Sequence, residues 1–340
     1  MPLHGHYPRE NKSKSRQLDG RTMQIRSVTH EDYPALVAIH NSQGIVWPEW
    51  PRTPEAWANA DRNRSPKSNV QRWIAAEDGQ AVGFASFAQH PWNYPPQSIY
   101  VNVEVLPAYQ RCGIGSALYE QVMDGLRGFN PPALRADAFT NLPRGFSFLQ
   151  KRGFYEAFRE TPVHLDVTRF DPSPYAGLEP KLNDQGIFIK TVAELKSDPG
   201  RDRKIYELYC TVDADVPREG DEITNPDFDD WLGWGLNDPA VLQDAYLIAV
   251  HGDDYVGLRE LGSYSDREVL LGSLLGVRRD YRKRGIALAM QLRNIAYGRE
   301  HGYRLLKDCT AIQNAPMQAM FNQLGFTRDP EWQQCQKNIE

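Results

Sequence analysis

The chain has 340 residues, 41% of them hydrophobic and 24% charged, with a formal net charge of −5. That length predicts two domains, and the composition excludes global disorder. The mild acidity argues against nucleic acid as the main partner, and no apolar run nears the roughly 20 residues a membrane-spanning helix needs.

The opening MPLHGHYPRENKSKSRQLDG is polar and lacks an apolar core, so 1–21 reads as a flexible tail and not as a secretory signal. Cys112, Cys210, Cys309 and Cys335 are scattered, without CxxC or Cys/His spacing. They predict neither a disulfide framework nor a metal site, and fit a reducing, cytoplasmic setting. A first strand over 23–28 leads into a helical region that contains GIVWPEWPRTPEAW (44–57). RWIAAEDGQAVGFASF (72–87) reads as strand, Asp-Gly turn, strand. SIYVNVEVL follows as a buried strand, with Ile99, Val101, Val103 and Val105 on one face and Tyr100, Asn102, Glu104 and Leu106 on the other. Next come a Gly-rich turn over 110–116, a helix over 116–126, another strand, and a last helix ending at Gly153-Phe154. DPSPYAGLEPKLNDQG (171–186), rich in Pro and Gly, reads as a linker.

After the linker the order repeats. A strand over 187–192, the hairpin YLIAVHGDDYVGLREL (246–261), the stretch LLGVRRDYRKRGIALAMQLRNIA (274–296) and a helix ending at Gly325-Phe326 reproduce the first half. Gly83 and Gly257 lie 174 residues apart; Gln110 and Arg282, and Gly153 and Gly325, lie 172 apart. Register this constant predicts a duplicated domain, 22–170 and 186–340, on either side of a linker at 171–185. Interleaved strands and helices predict an α/β fold in which each copy is a mixed twisted sheet packed by helices.

The turn carries the chemistry. Glycines allow positive φ and close backbone approach, and a helix N-terminus presents unpaired, partially positive N–H groups. Together they suit a phosphate or pyrophosphate, while a tight connection with no ligand is the plain alternative. A Walker loop would need Gly-Lys-Ser/Thr, which neither copy has, and a dinucleotide fingerprint would need GxGxxG near the start of its domain. What fits is Gln/Arg-x-x-Gly-x-Gly/Ala after a strand ending in Val: Gln110-Arg111-Cys112-Gly113-Ile114-Gly115, and Arg282-Lys283-Arg284-Gly285-Ile286-Ala287.

In this pattern, and in the later Asn314-Ala-Pro-Met-Gln-Ala-Met-Phe-Asn-Gln-Leu-Gly-Phe, the chain resembles the GNAT superfamily of acetyl-CoA-dependent N-acyltransferases. The resemblance covers nearly everything after residue 22, in two copies, as a tandem pair of acyl-CoA transferase folds. It implies a CoA pyrophosphate on each turn, pantetheine along the splayed strand beside it, and no metal. The implied cofactor residues are Val103, Val105, Gln110, Arg111, Cys112, Gly113, Ile114, Gly115 and Ser116 in copy one, and Val277, Arg282, Lys283, Arg284, Gly285, Ile286 and Ala287 in copy two. Asn141 and Asn314 resemble the Asn that contacts cofactor in relatives; a helix N-cap is the alternative.

Acyl transfer to an amine needs a base, and Glu104 is an acidic residue in an otherwise apolar strand just before the turn. Relatives often place a base on this strand, so Glu104 is the predicted catalytic residue; a plain salt bridge is the alternative. At the same 172-residue offset copy two has Gly276, with Glu260 and Asp308 as its possible substitutes. The Tyr that many relatives use to protonate the leaving thiolate is replaced by Leu149 and Phe321; a thiol with a pKa near 8.5 leaves tolerably unaided. Trp47, Trp50 and Trp231 line an acceptor pocket or simply pack. Asp213, Asp215, Glu219, Asp221 and Glu222 suit a cationic amine or form a solvated loop.

These readings predict a cytoplasmic N-acetyltransferase acting on a small amine, with copy one catalytic and neither nucleic acid nor membrane as partner. Catalysis in copy two, a non-catalytic acyl-CoA sensor or scaffold, and monomer or homodimer remain open alternatives.

Overall fold

The computed structural model describes residues 14–18, 21–43, 53–62, 64, 68–89, 98–218, 225–263 and 268–339. They form two compact units, one from the described residues before Asp137 together with those from Lys337 onward, the other from Asp137–Gln336. Trp47, Trp50, Glu219, Asp221 and Glu222 lie outside the described residues.

The first unit runs β1 (Lys14–Leu18), β2 (Arg21–Ser27), α1 (Tyr33–Asn41), α2 (Pro54–Arg62), β3 (Asn69–Glu77), β4 (Gln80–Gln89), β5 (Ile99–Val105), α3 (Ile114–Gly125) and the start, up to Ala136, of β6 (Ala133–Phe139). Its sheet follows chain order, β1 to β6, with antiparallel neighbours up to β5 and a parallel β5–β6 pair. Strand β1 lies in the stretch expected to be a tail. It pairs with β2 from Lys14–Ile25 to Leu18–Arg21, and main-chain bonding of that kind leaves no hydrophobic period to read. The β3–β4 turn has positive φ at both Asp78 (49°) and Gly79 (81°), the two-residue geometry that matches strand twist.

Residues 83 and 84 of β4 face opposite ways. Phe84 packs with Leu36, Val37, Ile39, Trp57 and Ile74 under α1 and α2. On the other face, a Cβ at Gly83 would lie 3.1 Å from Leu118 Cδ1 of α3, so glycine there lets the helix sit close to the sheet. Each fully buried Leu, Ile or Phe in such a core contributes about 1.5–3 kcal/mol. Helix α1 is entered through a turn in which Asp32 accepts from the Thr29 amide (2.8 Å) and from both Nη atoms of Arg26 (2.7 Å each). Pro34 then presets the first helical turn.

The second unit holds α4 (Pro143–Gln150), β7 (Tyr155–Asp166), α5 (Leu178–Asn183), β8 (Ile187–Thr191), α6 (Arg201–Asp213), α7 (Phe228–Trp234), β9 (Leu247–His251), β10 (Asp254–Gly262), β11 (Val269–Val277), α8 (Ile286–Glu300), β12 (Leu305–Ala311), α9 (Ala315–Leu324), β13 (Thr327–Arg328) and β14 (Trp332–Asn338). Its strand order is β14-β7-β12-β11-β10-β9-β8, with β13 on β7. Strand β7 follows the Gly-Phe pair that ends the last helix of copy one and falls within that copy's expected bounds, 22–170. It nevertheless lies between β12 and β14, paired with β12 from Asp166–Leu305 to Glu160–Ala311. The sequence copies and the compact units therefore do not share a boundary.

The stretch expected as linker contains α5, whose Leu182 is buried among Ile187, Ile189, Val277, Ile286 and Met290. Leu178 and Leu182, one helical turn apart, supply the anchoring face, and Glu179 pairs with Arg293 of α8. On the opposite side of the sheet, Trp231 of α7 is fully buried against α6, its ring 5.4 Å from Tyr206 and 5.8 Å from Tyr209.

Candidate functional site

The first turn is built by main-chain bonds. Leu106 N donates to Val82 O (2.9 Å) and Tyr109 N to Leu106 O (2.8 Å), which folds the chain back after β5. Gln110 Nε2 then donates to Val105 O (3.1 Å), which also accepts from Gln43 Nε2 at the end of α1 (3.2 Å). Arg111 (φ 69°) and Gly113 (φ 81°) take left-handed conformations, and Gly113 caps α3 by accepting from Ala117 N (3.0 Å). The first amides of α3, beginning at Ile114, therefore have no intrahelical acceptor. Buried Ile114 anchors the turn; Arg111, Cys112 and Gly113 are exposed, while Gly115 and Ser116 are half-buried.

The second turn repeats this scheme. Arg278 N donates to Val256 O (2.9 Å), Arg282 Nε to Val277 O (2.9 Å) and Ala289 N to Gly285 O (2.9 Å); Lys283 (φ 63°) and Gly285 (φ 91°) are left-handed. Ile286 is buried and Ala287 half-buried. In both copies the parallel ladder beside the turn is short: Ile99–Leu134 and Tyr100–Arg135 in the first, Val269–Leu305 to Leu271–Lys307 in the second. The rest of β5, with Val103 and Val105, and of β11, with Val277, has no parallel partner among the described residues.

The surroundings of the two turns differ. In the second unit Asp215 pairs with both Arg279 and Arg282. The Arg279 guanidinium, with Arg282 behind it, holds this carboxyl below the usual range against the opposing effect of burial. Leu178 of α5 sits on the turn: a Cβ at Gly285 would lie 2.8 Å from its Cδ1. Lys283 and Arg284 are exposed, and the Arg284 guanidinium lies 4.9 Å over the Tyr281 ring.

Glu104 points from β5 toward α1. It is 6% exposed, and His40 of α1, 3% exposed, places Nδ1 at 3.1 Å and 3.0 Å from its two carboxylate oxygens. Asn102 Nδ2 donates to Oε1 (2.9 Å). At the same positions of copy two, the 172-residue offset gives Val212 for His40 and Gly276 for Glu104. These two also meet: a Cβ at Gly276 would lie 2.5 Å from Val212 Cβ. A polar pair in one unit is thus an apolar contact in the other. His40 does not stand out in the sequence by itself, because the landmarks that fix the repeat register begin only at the hairpin that follows it.

The other candidates are placed as follows. Asn141 is exposed in the turn before α4, while Asn314 caps α9, its Oδ1 accepting from Met317 N (3.4 Å). Asp308 is buried against Arg259, which also bonds Ser273 O (3.0 Å) and Asn294 Oδ1 (3.2 Å); Gln291 Nε2 completes the group on Asp308 (3.2 Å). Glu260 is buried on β10. Leu149 and Phe321 are buried, and their carbonyls accept from Phe154 N (3.2 Å) and Phe326 N (2.9 Å) where each helix ends.

The strand, positive-φ turn and helix repeated in each half define a tandem α/β transferase architecture. The model of the acetyltransferase (GNAT) family matches residues 34–154 and again 204–326, and the chain belongs to that family. Among solved structures, the fold is similar to a tandem GNAT protein from the clavulanic acid biosynthesis pathway, at 18% identity and TM-score 0.71, covering 93% of this chain and 98% of that one. It is also similar to a GCN5-related N-acetyltransferase from Sphaerobacter thermophilus, at 17% identity and TM-score 0.69, covering 94% and 96% of the two chains. At these identities the likeness is one of fold.

Proposed function

We propose that the protein is an acetyl-CoA-dependent N-acetyltransferase of a small amine, with catalysis in the first unit and Glu104 as base. The observation that carries this reading is the buried Glu104 carboxylate on the strand that leads into the first turn. The first turn suits the cofactor: its left-handed Gly113 and Arg111 leave the amides at the start of α3 open to a pyrophosphate, and Arg111 is exposed beside them. Gln110, Cys112, Ile114, Gly115 and Ser116 complete that cradle, with Val103 and Val105 on the part of β5 beyond its parallel ladder with β6. Acetyl-CoA supplies the acetyl group as an activated thioester.

An amine attacks only as the free base. Glu104 takes the proton that the ammonium must lose, directly or through water, and passes it to solvent. The balance is one ammonium and one thioester giving one amide, one free thiol and one proton. In the second unit Val212 fills the space above Gly276, Asp215 already pairs with Arg279 and Arg282, and Leu178 covers Gly285. These contacts support a structural role for the second turn, including Arg282, Lys283, Arg284 and Asn314. A rival reading, acyl-CoA binding without turnover, is favoured by Leu149 and Phe321 standing where relatives carry Tyr.

Thiol release from acetyl-CoA with a panel of small primary amines tests the proposal. Wild type should turn over at least one amine, and Glu104→Gln should lose turnover while keeping cofactor affinity. Cofactor binding with no turnover of any amine supports the rival.

A further inference from the structure

We infer that His40 is the positioning residue for the Glu104 base, an inference that rests on the reading of Glu104 above. A carboxylate at 6% exposure has exchanged nearly all its water for protein groups, so its orientation depends on the donors it meets. His40 from α1 and Asn102 from its own strand are those donors; across the sheet its register partner on β4 is Phe84, which offers none. One imidazole N–H placed at nearly equal distance from both oxygens holds the carboxylate plane in a single orientation, where Asn102 alone binds only Oε1. His40 itself is held by the packing of α1, whose neighbouring Leu36 and Ile39 are fully buried. Gln43, one turn on, ties the end of α1 to the end of β5.

The second unit is the internal control. Where the carboxylate is missing, at Gly276, the histidine is missing too, at Val212, and the two apolar groups fill one another's space. A histidine serving α1 alone would have no reason to disappear together with a carboxylate 64 residues away. His40 transfers no proton in this scheme: its Nδ1–H stays on the ring and donates to the Glu104 carboxylate throughout.

The test compares wild type, His40→Leu, His40→Asn and Glu104→Gln in the full chain. Thiol release from acetyl-CoA is followed with the fastest primary amine of the panel, or with water as acceptor where no amine exceeds it. His40→Leu should lower kcat by about 10–100-fold, the effect of a reacting group held loosely, with KM for acetyl-CoA unchanged. His40→Asn, whose amide reaches the position of Nδ1, should recover most of that loss. Equal loss in the Leu and Asn variants, with both melting as wild type, overturns the inference because shape and not donation would matter. Wild-type kcat in His40→Leu alongside an inactive Glu104→Gln overturns it while leaving the base assignment standing. Full activity in Glu104→Gln removes both.

Discussion

Replacing His40 with valine and Glu104 with glycine transplants the contact of the second unit into the first. His40→Val alone leaves a buried carboxylate without its main donor, and a lost hydrogen bond to a charged group costs about 1.5–3 kcal/mol. Glu104→Gly alone loses the same bond and adds roughly 0.5–1 kcal/mol for glycine in a strand. In the double variant the shared bond is lost once, and valine occupies the space that glycine opens, as Val212 does above Gly276. The double variant should therefore be less destabilised than the sum of the singles by about 2 kcal/mol, roughly 30-fold in the unfolding constant. Urea titration of the four proteins, followed by tryptophan fluorescence, measures this coupling. The double variant should still bind acetyl-CoA and should not turn it over. Additive costs would refute the claim that the two residues form one unit of structure, and turnover in the double variant would refute the role of Glu104.

Calorimetric titration with acetyl-CoA should show one site per chain, abolished by Gly113→Val, which forces a branched side chain into φ 81°; a stoichiometry of two would show that the second turn is open. Freeing that turn with the pair Leu178→Ala and Asp215→Ala should create a second, weaker site, and no change would mean that other contacts close it. Asp308→Ala should cost about 3–5 kcal/mol by leaving Arg259 buried without its counter-charge, read as a lower melting temperature of the second unit. Asp61 is pushed up by burial, but bonds from Arg72 and Tyr33 outweigh this and hold it below its ordinary 3.8. Its depressed pKa gives stability that is present above the ordinary value and lost as pH falls through the folded one, so Asp61→Asn should destabilise at pH 7 and approach neutrality as pH falls through that folded value.

Much of this architecture was legible because duplication supplies its own comparison. The constant offset identified the hairpins, turns and Gly-Phe helix ends, and the matched bonds from Gln110 to Val105 and from Arg282 to Val277 repeat that register in three dimensions. Strand β1 was not legible, since Lys-Ser-Arg-Gln-Leu carries no alternation and pairs through its backbone. Helix α5 was hidden by Pro180 and Gly177, which mark a linker by composition while Leu178 and Leu182 anchor it. His40 was missed because its partner is far away in sequence, and a polar residue in the last turn of an apolar helix gives no periodic signal. Asp215 read as part of a solvated acidic loop, because the arginines that claim it lie more than sixty residues downstream.

The placement of β7 sets a timetable for synthesis. Asp166 leaves the ribosome about 140 residues before Leu305, its partner on β12. At roughly 5–20 residues per second, the nascent chain spends on the order of ten seconds with β7 made and its neighbours absent. An unpaired strand is a template for wrong pairing during that interval. A chain ending at residue 170 would make the interval permanent, and a piece starting at 171 would lack the strand that joins β12 to β14. Expression of the halves should therefore follow the spatial units, with 137–166 kept beside the residues that pair with it.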